Sequence, residues 1–317
     1  MTTIGVVLRV VFELAIFVFV GFLGFKWGIL SRKTAIELGN FTINITLPFL
    51  IFSSMMRRFP SVLEQRWYIL PFLNLFLIGF ALFVSWIVLK IIKPQNGKKE
   101  FYLITSFQNG AFFPIAVVSA LFPQDRAETY YIYIFLFVLF FTPFIITVSK
   151  LLFSGEPPIF RNVLKSVLNP AFVSVIISIL VVYTKLYRII PDFFIDISYK
   201  IGNVTIPLIL FTLGGSLYYA YKTNTNPASL YTLSAVFIKL VLLPLLVFFV
   251  LLFVKAPTYM KIVFILEAAA PTAVNSATYS MVYGGNDALI SKVSVFVYIV
   301  SLITYPIFVM LAISKFG

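Results

Sequence analysis

The chain reads as an all-α polytopic membrane protein, ten transmembrane helices forming a 5+5 inverted repeat in which helices 4 and 9 are broken and cross. Three observations predict this. Of 317 residues, 61% are hydrophobic and only 11% charged, and apolar runs of bilayer-spanning length recur from end to end. The stretch Asn44-Ile-Thr-Leu-Pro48 returns as Asn203-Val-Thr-Ile-Pro207. Each copy is followed, at nearly equal distance, by a second mid-span proline, Pro114 or Pro271. A duplicated, proline-interrupted span is the sign of repeats built around a central site.

The first span, near 4–28, lacks an obvious small-residue cleavage site, so it is expected to be retained rather than removed as a signal peptide. The second, near 36–56, places Glu37, Asn40, Asn44 and Pro48 on one face by their spacing and ends at Arg57-Arg58-Phe-Pro60. Trp67 and Tyr68 open the third, near 67–93, as an interfacial aromatic belt would place them, and Lys93-Pro-Gln-Asn-Gly97 closes it. The fourth, near 100–122, holds Pro114 behind the polar residues Ser106, Gln108, Asn109 and Gly110; Pro123-Gln-Asp-Arg126 follows. Tyr130 and Tyr131 mark the start of the fifth, near 127–152, which Pro143 interrupts. The break Ser154-Gly-Glu-Pro-Pro158 is only a linker.

The second half retraces this order. A sixth span lies near 162–184, and a seventh, near 192–220, lines up Asp196, Lys200, Asn203 and Pro207 on one face before Lys222-Thr-Asn-Thr-Asn-Pro227. Lys239 sits mid-span in the eighth, near 229–254, and Ala256-Pro257 closes it as Lys93-Pro94 closes the third. In the ninth, near 258–283, Glu267, Thr272, Asn275 and Ser276 surround Pro271, and Tyr259 precedes that proline by the spacing of Tyr102 from Pro114. Pro306 interrupts the tenth, near 287–314, as Pro143 does the fifth. An odd number of spans separates the two motif copies, so the second must face the opposite way. The halves are therefore 1–153 and 162–317, joined by a linker at 154–161. The dense basic loop Lys90 to Lys99 favours termini outside.

Composition excludes several classes of function. With no cysteine and no histidine, disulfide frameworks, thiol nucleophiles, zinc fingers and imidazole chemistry are absent, and proton handling falls to Asp, Glu, Lys or Tyr. The net charge of +13 sits in short loops between apolar spans, where it marks topology and lipid headgroups rather than nucleic acid. No Ser/His set, paired Asp or metal set supports an intramembrane enzyme, and Gly284-Gly285 lacks the context of a phosphate loop.

Pro114 and Pro271 each remove a backbone donor near mid-membrane, where broken backbone survives only against protein or a water-filled cavity. The breaks are thus expected to face each other. Each following half-helix presents unpaired N–H groups and the positive end of its dipole, so a carboxylate is expected to bind between them. The candidate substrate-binding residues are Asn44, Gln108, Asn109, Pro114, Asn203, Pro271, Thr272 and Asn275. Asn44 and Asn203 fit two roles equally, lining the cavity or bonding between helices. Glu267 and Lys239, charges at a costly depth, are the candidates for ion or proton coupling. Arg9 and Glu13 read as an interfacial ion pair.

These residues resemble the auxin efflux carriers and their prokaryotic relatives. The likeness runs through Trp27-Gly-Ile-Leu-Ser31, Asn44 to Phe52, Asn169-Pro170, Ala270-Pro-Thr-Ala-Val-Asn275, Tyr283-Gly-Gly285 and Pro306. It implies the fold of bile-acid sodium symporters and an elevator mechanism, with a scaffold of the first, second, sixth and seventh spans and a core of the others. Asn44 and Asn203 then stand at the scaffold face. Phe112 and Phe113 occupy positions where many relatives carry an Asn and glycines, so Asn109 is a weaker match than Pro114. The short link between the halves matches the compact prokaryotic members. The expected function is a secondary carrier in the cell membrane that moves a small organic anion, needs no cofactor beyond coupled H+ or Na+, contacts lipids and has a homodimer as candidate assembly. Two alternatives stand beside it: a sodium-coupled bile-acid-type symporter, and a receptor that binds a ligand without moving it.

Overall fold

In the computed structural model, the described residues 3–63, 65–157, 159–222 and 229–317 are helical apart from short connections and one isolated backbone bridge. Helix α1 (Thr3–Lys26) leads through a Ser31–Thr34 capping box into α2 (Arg32–Val62) and α3 (Trp67–Ile92). A broken segment follows as α4 (Lys98–Ser106) and α5 (Phe112–Leu121), then α6 (Gln124–Ser154). A short α7 (Phe160–Val167) precedes α8 (Pro170–Tyr183), α9 (Asp192–Tyr219) and α10 (Leu230–Phe253). A second broken segment, α11 (Thr258–Ala269) and α12 (Ser276–Val282), precedes α13 (Asp287–Phe316). Among the described residues, six helices, α2, α3, α6, α9, α10 and α13, are long and apolar enough to cross a membrane, and the protein is a multi-pass membrane protein.

Proline shapes these helices in three ways. Pro48 and Pro244 have no N–H, and their rings press on the carbonyls of Asn44 and Leu240; the helix widens just upstream into π turns at Thr42–Thr46 and Ile238–Leu242. At Pro207 the same conflict is met by a turn at Val204, which divides α9. Pro143 falls in the first turn after a non-helical stretch at 138–140, where its missing donor is not needed. Pro306 departs from expectation: it lies inside an unbroken α13, because buried neighbours hold the helix through the loss of one hydrogen bond.

Two polar breaks are also corrected. Arg57-Arg58-Phe-Pro60 does not end the second span; α2 continues to Val62 because Arg57 pairs with Glu128 at 2.9 Å and Asp196 at 2.7 Å, and Arg58 with Glu128 at 3.4 Å. The link between the halves is more than a loop. Residues 160–167 form α7, which carries the exposed Arg161 and Lys165, and α8 begins only at Pro170, with the Asn169 carboxamide accepting from the Phe172 N–H at 3.0 Å. Beyond Lys222, the loop expected up to Pro227 lies outside the described residues.

Close helix approaches organise the packing. Gly214 of α9 lies against the backbone of Val18, Gly21 and Phe22 in α1, and Gly202 against that of Phe49 and Leu50 in α2, so a Cβ at either place meets main chain. Between the last two helices Thr205 donates to Thr46 at 2.8 Å; these are the equivalent threonines of the two Asn-x-Thr-x-Pro copies. Two large clusters of buried apolar side chains form most of the core among the described residues, beside a smaller third one of Val18, Ala116, Leu210, Leu213 and Tyr298. Of the two large clusters, one is built from Leu50, Phe59, Ile132 and Ile265, the other from Ile78, Phe101, Leu240 and Val293, and they meet at the broken segments.

Candidate functional site

Both broken segments cross at their breaks. The Asn109 N–H donates to the Pro271 carbonyl at 2.7 Å and the Ala273 N–H to the Phe107 carbonyl at 2.9 Å, a short antiparallel bridge centred on Gln108 and Thr272. Side chains take up further polar groups: Thr272 Oγ1 donates to the Ile104 carbonyl at 2.8 Å, and Tyr298 Oη to the Thr272 carbonyl at 2.7 Å. Broken backbone is thereby satisfied by protein at membrane depth, as the absence of water there demands.

The breaks are not placed symmetrically about their prolines. Pro271 lies within its break, between α11 and α12, whereas Pro114 sits in the first turn of α5 and the chain opens earlier, at Phe107 to Ala111. Gly110 gives the reason for the earlier opening. A Cβ there would land on the Glu267 carboxylate and stand 3.0 Å from Val138 Cγ1. The first segment therefore opens where a glycine lets the carboxylate of the second approach its backbone.

Beside the crossover lies a cavity of about 1190 Å³ with mainly apolar walls. Asn109 and Asn275 reach its lining from the two breaks, Phe112 and Phe113 from α5, and Val18, Asn40 and Leu213 from α1, α2 and α9. Arg32 and Lys292 also border it, with Asp287. Asn109 Nδ2 donates to Tyr298 Oη at 3.2 Å, which orients the amide at the inner wall. The first turn of α5 opens toward this wall, with Phe112 and Phe113 lining it. α12 has seven residues, and its Ser276 N–H already donates to the Ala273 carbonyl at 3.1 Å, so the two half-helix ends are not equivalent.

The remaining sequence candidates divide between two other places. Gln108, Pro271, Thr272, Glu267 and Lys239 are buried behind the crossover, where Gln108 Nε2 donates to Asn74 Oδ1 at 3.3 Å; Pro114 is buried within α5. Asn44 and Asn203 are exposed and outside the cavity lining; the Asn44 amide donates to the Asn40 carbonyl of its own helix at 2.8 Å. The motif thus contributes its threonines to the α2–α9 contact. Tyr298 and Lys292 escaped the sequence reading, and Asn40 was placed on the motif face without being named a site residue, because nothing in an apolar or helical pattern distinguishes a cavity-facing position from a packed one.

Residues 6–309 match the family described as membrane transport protein. The chain belongs to that family. Its carrier architecture accords with the resemblance to auxin efflux carriers, and transport across a membrane is the activity that membership supports. Among the curated proteins, none matches this transporter.

Proposed function

We propose that this family member is a secondary carrier for a small organic anion with an apolar body, working by an elevator movement and built as ten spans in two inverted halves. The observation that carries the reading is the position of the cavity. Its walls come from α1, α2 and α9 on one side and from α5, α12, α13 and the two breaks on the other, the boundary between scaffold and core in an elevator. In this reading the carboxylate meets the Asn109 and Asn275 amides near the first turn of α5, while Phe112, Phe113 and Leu213 cover the apolar body. Arg32 and Lys292 raise the local concentration of anions. The Thr46–Thr205 pair supports the inverted repeat, since a twofold axis brings equivalent residues together.

Uptake of a labelled aromatic carboxylate by proteoliposomes tests this. Saturable uptake that the acid inhibits far better than its neutral amide analogue is expected. Equal inhibition by acid and amide removes the anion site, and absence of turnover despite binding makes the protein a receptor.

A further inference from the structure

We propose that Lys239 is a built-in counter-cation for Glu267, so that no metal ion is needed beside this carboxylate. The inference rests on the transport reading of the same site.

Among the described residues, four acidic or basic side chains are buried: Glu100, Glu128, Lys239 and Glu267. Glu128 is held by two arginines, and Glu100 accepts the Asn286 N–H at 2.9 Å. Glu267 differs. It is 0% exposed, and neither carboxylate oxygen has a hydrogen-bond partner. Gln108 approaches the carboxylate without hydrogen-bond geometry and leaves its own Oε1 unpartnered, and Gly110 presses its backbone against the same group. Three unsatisfied oxygens at one buried point form a set of donors suited to a hard cation.

The nearby positive charge comes from α10. Its π turn at Ile238–Leu242, forced by Pro244, packs against α4, α11 and α13 and carries Lys239, which is 2% exposed. The turn that carries Lys239 packs against α11, the helix that carries Glu267, so the two buried side chains lie within each other's field without forming a contact ion pair. In a poorly polarisable interior that field is long-ranged, and a sodium ion seated on the Glu267 oxygens would be repelled by the ammonium. The site accommodates one cation, and the chain supplies it. Since Lys239 and Glu267 belong to neighbouring core helices, their charges cancel as the core moves, and the charge carried per cycle is that of the substrate alone.

The test reads stability, independently of transport. Purified protein is melted in sodium chloride and in choline chloride at equal ionic strength, as wild type, Lys239→Met, Glu267→Gln and the double variant. We expect the same melting temperature in both salts for the wild type. Lys239→Met should fall by on the order of 5–10 °C, because a buried carboxylate loses its compensation, and the double variant should regain most of that loss. A saturable, sodium-specific rise in wild-type melting temperature would overturn the proposal, as would a double variant that loses as much as the two single variants together. If Lys239→Met does not yield folded protein, the wild-type salt comparison and the double variant decide. A carrier that passes this test yet moves no carboxylate would contradict the proposed function and leave the role of Lys239 intact.

Discussion

Glu128→Gln is the perturbation whose consequence follows most directly from the geometry. Glu128 on α6 is buried, its side chain 2% exposed, and it accepts from Arg57 at 2.9 Å, Arg58 at 3.4 Å and Gln124 at 3.1 Å. The arginines belong to α2, so in an elevator this network ties core to scaffold. The Arg58 contact is long and its side chain 40% exposed, which limits it to less than about 1 kcal/mol. Arg57 is 24% exposed and keeps Asp196 at 2.7 Å and the Tyr199 ring at 4.5 Å after the change, so its charge is not stranded. Glutamine can still accept a hydrogen bond. The loss should therefore fall below the ~3–5 kcal/mol of a fully buried broken pair, at roughly 2–3 kcal/mol. A double-mutant cycle with Arg57→Met, followed by thermal or denaturant unfolding, measures the coupling. A coupling below about 0.5 kcal/mol would refute the reasoning, because a buried carboxylate with three donors cannot then owe its burial to Arg57.

Gly110→Ala should cost about 1–3 kcal/mol in unfolding experiments, since the new methyl must displace a buried carboxylate at the crossover, and it should lower transport more than an Ala at the exposed Gly79, where a Cβ meets nothing. Thr205→Val should cost about 1 kcal/mol by thermal shift, with little further loss in the Thr46→Val/Thr205→Val double variant, because Thr205 donates to Thr46 at 2.8 Å and the bond Thr46 itself donates, to the Thr42 carbonyl, is long at 3.4 Å. Tyr298→Phe removes the hydroxyl that donates to the Thr272 carbonyl and accepts from Asn109; weaker substrate binding with a modest loss of stability is expected, read as a raised KM in the uptake assay.

Much of this was legible in the residues. Hydropathy located the long apolar helices, and the paired prolines with their polar neighbours pointed to two broken segments. Motif spacing matched Thr46 with Thr205, although it emphasised the asparagines, whose side chains turned out to be exposed. Arg57 and Arg58 looked like a loop because charge usually ends a span; partners at Glu128 and Asp196, far along the chain, keep them in a helix. Pro114 looked like a break because proline disrupts helices, but at the first turn of α5 it disrupts nothing, and the break belongs to Gly110.

By itself the amino-acid sequence determined a multi-pass helical protein with duplicated motifs, two interrupted segments and a small set of charges at membrane depth. Those features come from local properties: transfer free energy summed along a span, a missing donor at proline, the period of a helix. Only the tertiary structure decided which breaks pair, that Asn109 and Asn275 reach the cavity while Asn44 and Asn203 do not, and that Glu267 lies against Gly110. Each of those depends on contacts between residues distant in the chain, and one turn of helix or a widening at a π turn is enough to move a side chain from the cavity wall to the packed interior.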